Sequence, residues 1–175
     1  VPLGSDGLPT GELKGPEAMM QVAAVLGMDR AVLAGDEAAL RAFSRLCVRA
    51  GVTTATDLAS PLPDAAVQMM LEVTARADFP TRIVPLLRLL GAPAEGVERA
   101  AALRERSGDR LRLGRIKMVA DGSIQGFSAR LRWPGYFNGA PNGLWYMAPE
   151  QMREALTLGL QRGLHVQAMM YDNNY

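Results

Sequence analysis

Leu113-Gly114-Arg115-Ile116-Lys117-Met118-Val119-Ala120 is the stretch whose reading decides the fold of this chain. Side chains along a strand alternate between its two faces. Ile116, Met118 and Ala120 therefore share one face, which suits packing against helices. Arg115, Lys117 and Val119 share the other, which in a barrel points inward. An unpaired buried ammonium is costly, so an inward lysine has a partner or a function. The competing reading is structural: Lys117 pairs with a neighbouring carboxylate, or the strand is an edge.

Working outward from this strand, helical and strand periodicities alternate. Upstream lies a helix over 94–106, charged on one side. Before it, Thr81 to Leu87 reads as a strand, although Pro85 is a poor strand residue. Before that, Asp64 is placed to cap a helix with Val67, Met70, Leu71 and Thr74 on one face. The β-branched run 52–57 reads as another strand. It is preceded by a helix from residue 36 with Leu40, Phe43, Leu46, Cys47 and Ala50 at helical spacing, stopped by Gly51. Downstream, 121–148 is a long loop containing Trp133, Tyr136, Phe137, Trp145 and Tyr146. Pro149 then opens a helix with Met152, Leu156 and Leu160 on one face, and Leu164 to Met170 reads as the last strand. Residues 1–35 are a turn-rich lead-in, with a helix from Pro16 to about Leu26.

Strands alternating with helices imply βαβ units and a parallel sheet, hence an α/β fold. A doubly wound sheet and part of a (β/α)₈ barrel both fit. No glycine-rich phosphate loop follows any strand, which disfavours nucleotide- and phosphate-binding versions. A complete barrel takes about 250 residues. Four strands in 175 residues make about half of one, so the chain is expected to be a piece of a longer protein or to pair with another chain.

Composition narrows the function classes. Nineteen Lys+Arg balance eighteen Asp+Glu, and no block of like charge marks a nucleic-acid or membrane-surface partner. No apolar run approaches the roughly 20 residues of a membrane span, and no secretory leader is visible. A soluble, cytoplasmic protein is expected. One cysteine and one histidine exclude an internal disulfide framework and a multi-histidine metal centre within this stretch. Cys47 and the methionines read as core.

Asp121-Gly122-Ser123 follows the Lys117 strand directly. A residue at the end of a parallel strand stands at the rim where barrel active sites are built, but Asp-Gly is also common in turns. Asp57, read at the end of its own strand, carries the same two meanings. The aromatic loop is a lid or pocket wall, or else a satellite hydrophobic cluster. His165 begins its strand and so belongs to the barrel floor, in a structural role.

Two segments, Gly51-Val52-Thr53-Thr54-Ala55-Thr56-Asp57-Leu58-Ala59 and Ile116-Lys117-Met118-Val119-Ala120-Asp121-Gly122-Ser123-Ile124-Gln125-Gly126-Phe127-Ser128-Ala129, resemble metal-dependent amidohydrolases of the amidohydrolase-3 group. N-substituted formamide deformylases and exoenzyme regulatory protein-like enzymes belong to it. Asp6-Gly7-Leu8-Pro9-Thr10-Gly11-Glu12-Leu13 looks like the segment this group carries ahead of its second strand. The resemblance implies that residues 1–175 are part of one (β/α)₈ TIM barrel domain. It implies hydrolysis of an amide-type C–N bond in a small-molecule substrate by a water activated on zinc or another divalent metal. Lys117 would then be a metal ligand when carboxylated, with Asp57, Asp121, Ser123, Gln125, Trp133 and Tyr136 around the pocket. The chain departs from the pattern in two ways. The group's His-x-His would lie before residue 1 and its later histidine and aspartate after residue 175, and Met169 stands where the group has a further histidine, followed by Asp172 and Asn173. The isolated chain is therefore expected to be inactive and to bind zinc weakly or not at all. The rest of the barrel, or further copies of the chain, would be its partners. The alternative is a non-catalytic barrel-derived domain that binds a small molecule or a partner chain.

Overall fold

A computed structural model describes residues 3–13, 16–27, 36–89 and 91–169. Among these residues nine elements follow in order: α1 (Pro16–Val25), α2 (Glu37–Arg49), β1 (Thr54–Ser60), α3 (Asp64–Ala75), β2 (Arg82–Arg88), α4 (Pro93–Arg104), β3 (Arg115–Val119), α5 (Pro149–Gln161) and β4 (His165–Met169). The strands form one sheet in the order β1-β2-β3-β4. β1 pairs parallel with β2, and β2 parallel with β3. By contacts the chain divides into two compact units. One comprises residues 32–118 and 149–168, the other 1–31, 119–148 and 169–175. Among the described residues no helix is long and apolar enough to cross a membrane.

The sequential strand order and the placement of the helices select between the two α/β architectures. A methyl group on Gly159 of α5 would lie 2.8 Å from Val166 Cγ2 and 3.1 Å from Ile116 Cδ1. Ile116 and Val166 therefore point at α5. Leu87 stands opposite Ile116 in the β2–β3 ladder, and Leu89, two residues on, abuts Gly96 of α4. Both helices thus cover the same face, and they touch each other. Doubly wound sheets carry helices on both faces, whereas a barrel keeps them all outside. The arrangement is a partial barrel of the (β/α)₈ kind.

The core of the larger unit lies between this face and its helices. Phe79, Val67, Val97, Ala100, Ile116 and Met118 are fully buried there, and burying each large apolar side chain contributes about 1.5–3 kcal/mol. The Ser44 hydroxyl on α2 donates to Thr81 Oγ1 at 2.9 Å, with both side chains buried.

Three sequence expectations are corrected. Phe43 and Leu46 do not sit in the core: they are exposed on α2, whose buried side carries Ser44 and Cys47. Asp64 does not cap α3. It is the first helical residue behind Pro63, and its carboxylate accepts from Arg99 at 2.8 Å. That guanidinium holds the Asp64 carboxyl below the usual carboxylate range. Pro85 does not weaken β2, which runs through it. The β2–β3 ladder has a bridge at Ile83↔Leu111 and resumes at Leu86↔Arg115. Three residues on β2 thus span four on its partner, so the proline, which has no N–H to give, falls where the ladder is already interrupted.

Candidate functional site

Lys117 lies in the middle of β3 and is only 3% exposed. Alternation from Ile116 turns it to the face away from α4 and α5. Its direct neighbour across the parallel ladder is Arg88, the last residue of β2. On β4, Gln167 follows Val166 and so shares the same face as Lys117. Arg88, Lys117 and Gln167 thus form a polar row across three adjacent strands of the larger unit. Val84 and Leu86, on the same face of β2, are buried apolar residues.

The row is unusual in its hydrogen bonding. Arg88 Nε and Gln167 Oε1 are both buried without a hydrogen-bond partner among the described residues. No ion pair to Lys117 occurs among them either. Buried polar groups are nearly always satisfied, and the buried Lys117 ammonium stands beside a second cation, the half-buried Arg88. Arg88 and Gln167 escaped the sequence reading. Their signal was a charged or amide residue in a strand facing inward, at the parity that the neighbouring strand's register sets.

Asp57 does not join this row. It is the fourth residue of β1, not its end, and pairs with Pro85. Pro85 shares the helix-side face with Leu87, so the register turns Asp57 away from the face of Lys117. Its Oδ1 accepts the Ala59 N–H at 3.2 Å, next to the irregularity between Asp57 and Ser60. His165 opens β4 and is exposed, as expected of a strand start. Asp172 and Asn173 lie outside the described residues.

The remaining candidates belong to the smaller unit. Asp121 is buried, and its Oδ2 accepts the Arg130 N–H at 2.8 Å. The segment after it folds back on itself. Gly122 N–H donates to Ser128 C=O, Ser128 N–H returns to Ser123 C=O, and Ser123 N–H donates to Ser128 Oγ. This closure explains the glycines of Asp-Gly-Ser-x-Gln-Gly. A methyl on Gly122 would meet Ser128 Oγ at 2.2 Å and Ser128 C=O at 2.5 Å. Ser123 is held within the turn and Gln125 is exposed at its tip. Tyr136 donates its hydroxyl to Ala129 C=O and packs edge-on against Phe127. Trp133 is 93% exposed and borders a shallow cleft with Pro134, Tyr136 and Asn142. Gly122→Ala is expected to open this turn, because a backbone carbonyl cannot move aside, at a cost of about 1–3 kcal/mol. Limited proteolysis between residues 122 and 130 should accelerate; an unchanged cleavage rate would show that the turn accommodates a side chain.

Among the described residues no group of three His, Cys, Asp or Glu side chains is placed to hold a metal ion. Unmodified Lys117 offers an ammonium, which is not a ligand, and Asp57 faces away from it. The described residues do not make up a complete metal site.

Comparison with known proteins fits this architecture. A sequence model of the amidohydrolase family matches residues 1–174. A solved structure of an uncharacterized metal-dependent hydrolase from Pyrococcus furiosus superposes with a TM-score of 0.61 at 18% identity, over 78% of this chain and 28% of that one. Another, from Pyrococcus horikoshii OT3, gives a TM-score of 0.57 at 16% identity, over 74% of this chain and 26% of that one. The chain thus spans just over a quarter of the length of either structure. No curated protein matches it.

Proposed function

The chain belongs to the amidohydrolase family, and from that premise we propose that it supplies one wall of a barrel hydrolase that cleaves amide-type C–N bonds in small molecules. Lys117 carries this reading. It is a buried lysine on the inner face of a parallel strand, followed by the Asp121-Gly122-Ser123 turn, and among the described residues nothing neutralises it. As a carbamate it would exchange a buried cation for an anion with oxygen donors. When bound, a divalent metal such as zinc would supply the electrophile for the amide carbonyl and its attacking water. The chain's own part is to hold Lys117 in position and to keep water from its stem. The described residues lack the other ligands, so the reading assigns these to other parts of the protein. The same lack favours a second reading, a barrel-derived domain that binds a small molecule without cleaving it.

Two measurements separate these readings. The protein in full, supplied with zinc and bicarbonate, is expected to release free amine from a panel of small N-formyl and N-acyl amines. Binding without release of amine would support the second reading. The 175-residue chain alone is expected to retain sub-stoichiometric zinc after dialysis, since a catalytic site needs about three protein ligands. Stoichiometric zinc that disappears in Lys117→Ala would show that the chain already holds a complete ligand set.

A further inference from the structure

We infer that Arg88 and Gln167 are positioning residues that hold Lys117 as its carbamate; this rests on the reading of Lys117 as a carboxylated lysine. The two orphaned atoms flanking Lys117 are of opposite kinds. Arg88 Nε is a donor without an acceptor, and Gln167 Oε1 is an acceptor without a donor. A lysine carbamate offers the complement of both, with two anionic oxygens to accept and one N–H to donate. Arg88 stands opposite Lys117 in the ladder, so its guanidinium meets a carbamate oxygen. Gln167, on the same face of the next strand, accepts the carbamate N–H. The unmodified ammonium satisfies only half of this arrangement: it can donate to Gln167, but it leaves the buried Lys117 cation beside the half-buried Arg88 guanidinium.

The reaction needs only carbon dioxide. The neutral Lys117 amine attacks the carbon of CO₂ through its nitrogen lone pair. A C–N bond forms, one C=O π pair moves onto oxygen, and the amine proton leaves to water. Nothing is oxidised or reduced. The product bears a negative charge next to Arg88, where a charge-assisted hydrogen bond stabilises it.

The test is ¹³C NMR of the chain titrated with ¹³C-bicarbonate, without metal. The unmodified chain should show a protein-bound carbamate signal that is absent in Lys117→Arg. Arg88→Met and Gln167→Met should each weaken carbamate formation, Arg88→Met by at least about tenfold, the scale of one charge-assisted hydrogen bond. Arg88→Lys, which keeps a donor and the charge, should recover part of the loss. Urea midpoints measured on the same samples identify any variant that no longer folds, and for Arg88 the comparison then rests on Arg88→Lys. No carbamate in the unmodified chain would overturn the reading of Lys117 itself. A carbamate formed equally well in the Arg88 and Gln167 variants would overturn only the positioning role.

Discussion

Lys117→Met is expected to raise stability and sharply reduce hydrolysis in the same protein. Lys117 is 3% exposed, and no carboxylate pairs with it among the described residues. Methionine has a similar length and carries no charge, and Val84 and Leu86 on the same face of the neighbouring strand are apolar. In bicarbonate-free buffer the substitution removes a buried cation beside Arg88. Replacing buried charge by apolar side chains of similar volume stabilises by about 1–4 kcal/mol in favourable cases. The urea midpoint should therefore rise. Hydrolysis by the protein in full should fall by about 10²–10³ or more, the scale of losing one electrostatic contact to the transition state. This opposition marks a residue kept for function at the expense of stability. A variant that is less stable and still active would make Lys117 an ordinary structural lysine.

Phe79→Ala is expected to cost the most stability of any single truncation. Phe79 is the largest of the fully buried side chains among the described residues. It lies in the turn between α3 and β2, where its N–H donates to Arg76 C=O at 3.1 Å. Removing the ring leaves a cavity among rigid neighbours, and such changes cost about 3–5 kcal/mol. That is a large fraction of the roughly 5–15 kcal/mol of a typical domain. Chemical denaturation should show the loss in the midpoint with an unchanged slope. A loss under about 1 kcal/mol would mean that the core around Phe79 collapses to fill the space.

Much of the architecture was legible in the sequence because its periodicities are local. The run around Lys117 alternates cleanly, and Pro149 announces the helix it opens. Pro85 shows where local reading fails: whether a strand tolerates proline depends on which ladder bond its nitrogen would have made, and that is a property of the neighbouring strand. Phe43 and Leu46 fail for a related reason. Helical spacing marks an apolar stripe, but the partner decides which part of it is covered, and Ser44 was claimed by Thr81.

The site was less legible than the fold. Lys117 stood out because a charge interrupts an apolar strand. Arg88 and Gln167 did not, since their shared face emerges only from register across three strands. Asp57 was misplaced for a similar reason: β1 runs on to Ser60, three residues past the end read from the sequence, which moves Asp57 from the strand's end to its middle. Asp121 was found by its motif, and the structure adds what the motif's glycines do, which is to let the turn close against Ser128.

The central claim is that Lys117 faces the barrel interior as a modified, metal-facing residue. It is tested most directly by a crystal structure of the protein in full, grown with zinc and bicarbonate and measured at the zinc absorption edge. Density for a carboxyl group on Lys117 Nζ is expected, with an anomalous peak about 2 Å from one of its oxygens. A bare Lys117 ammonium, with the metal bound elsewhere or with Lys117 packed against the helices, would contradict it.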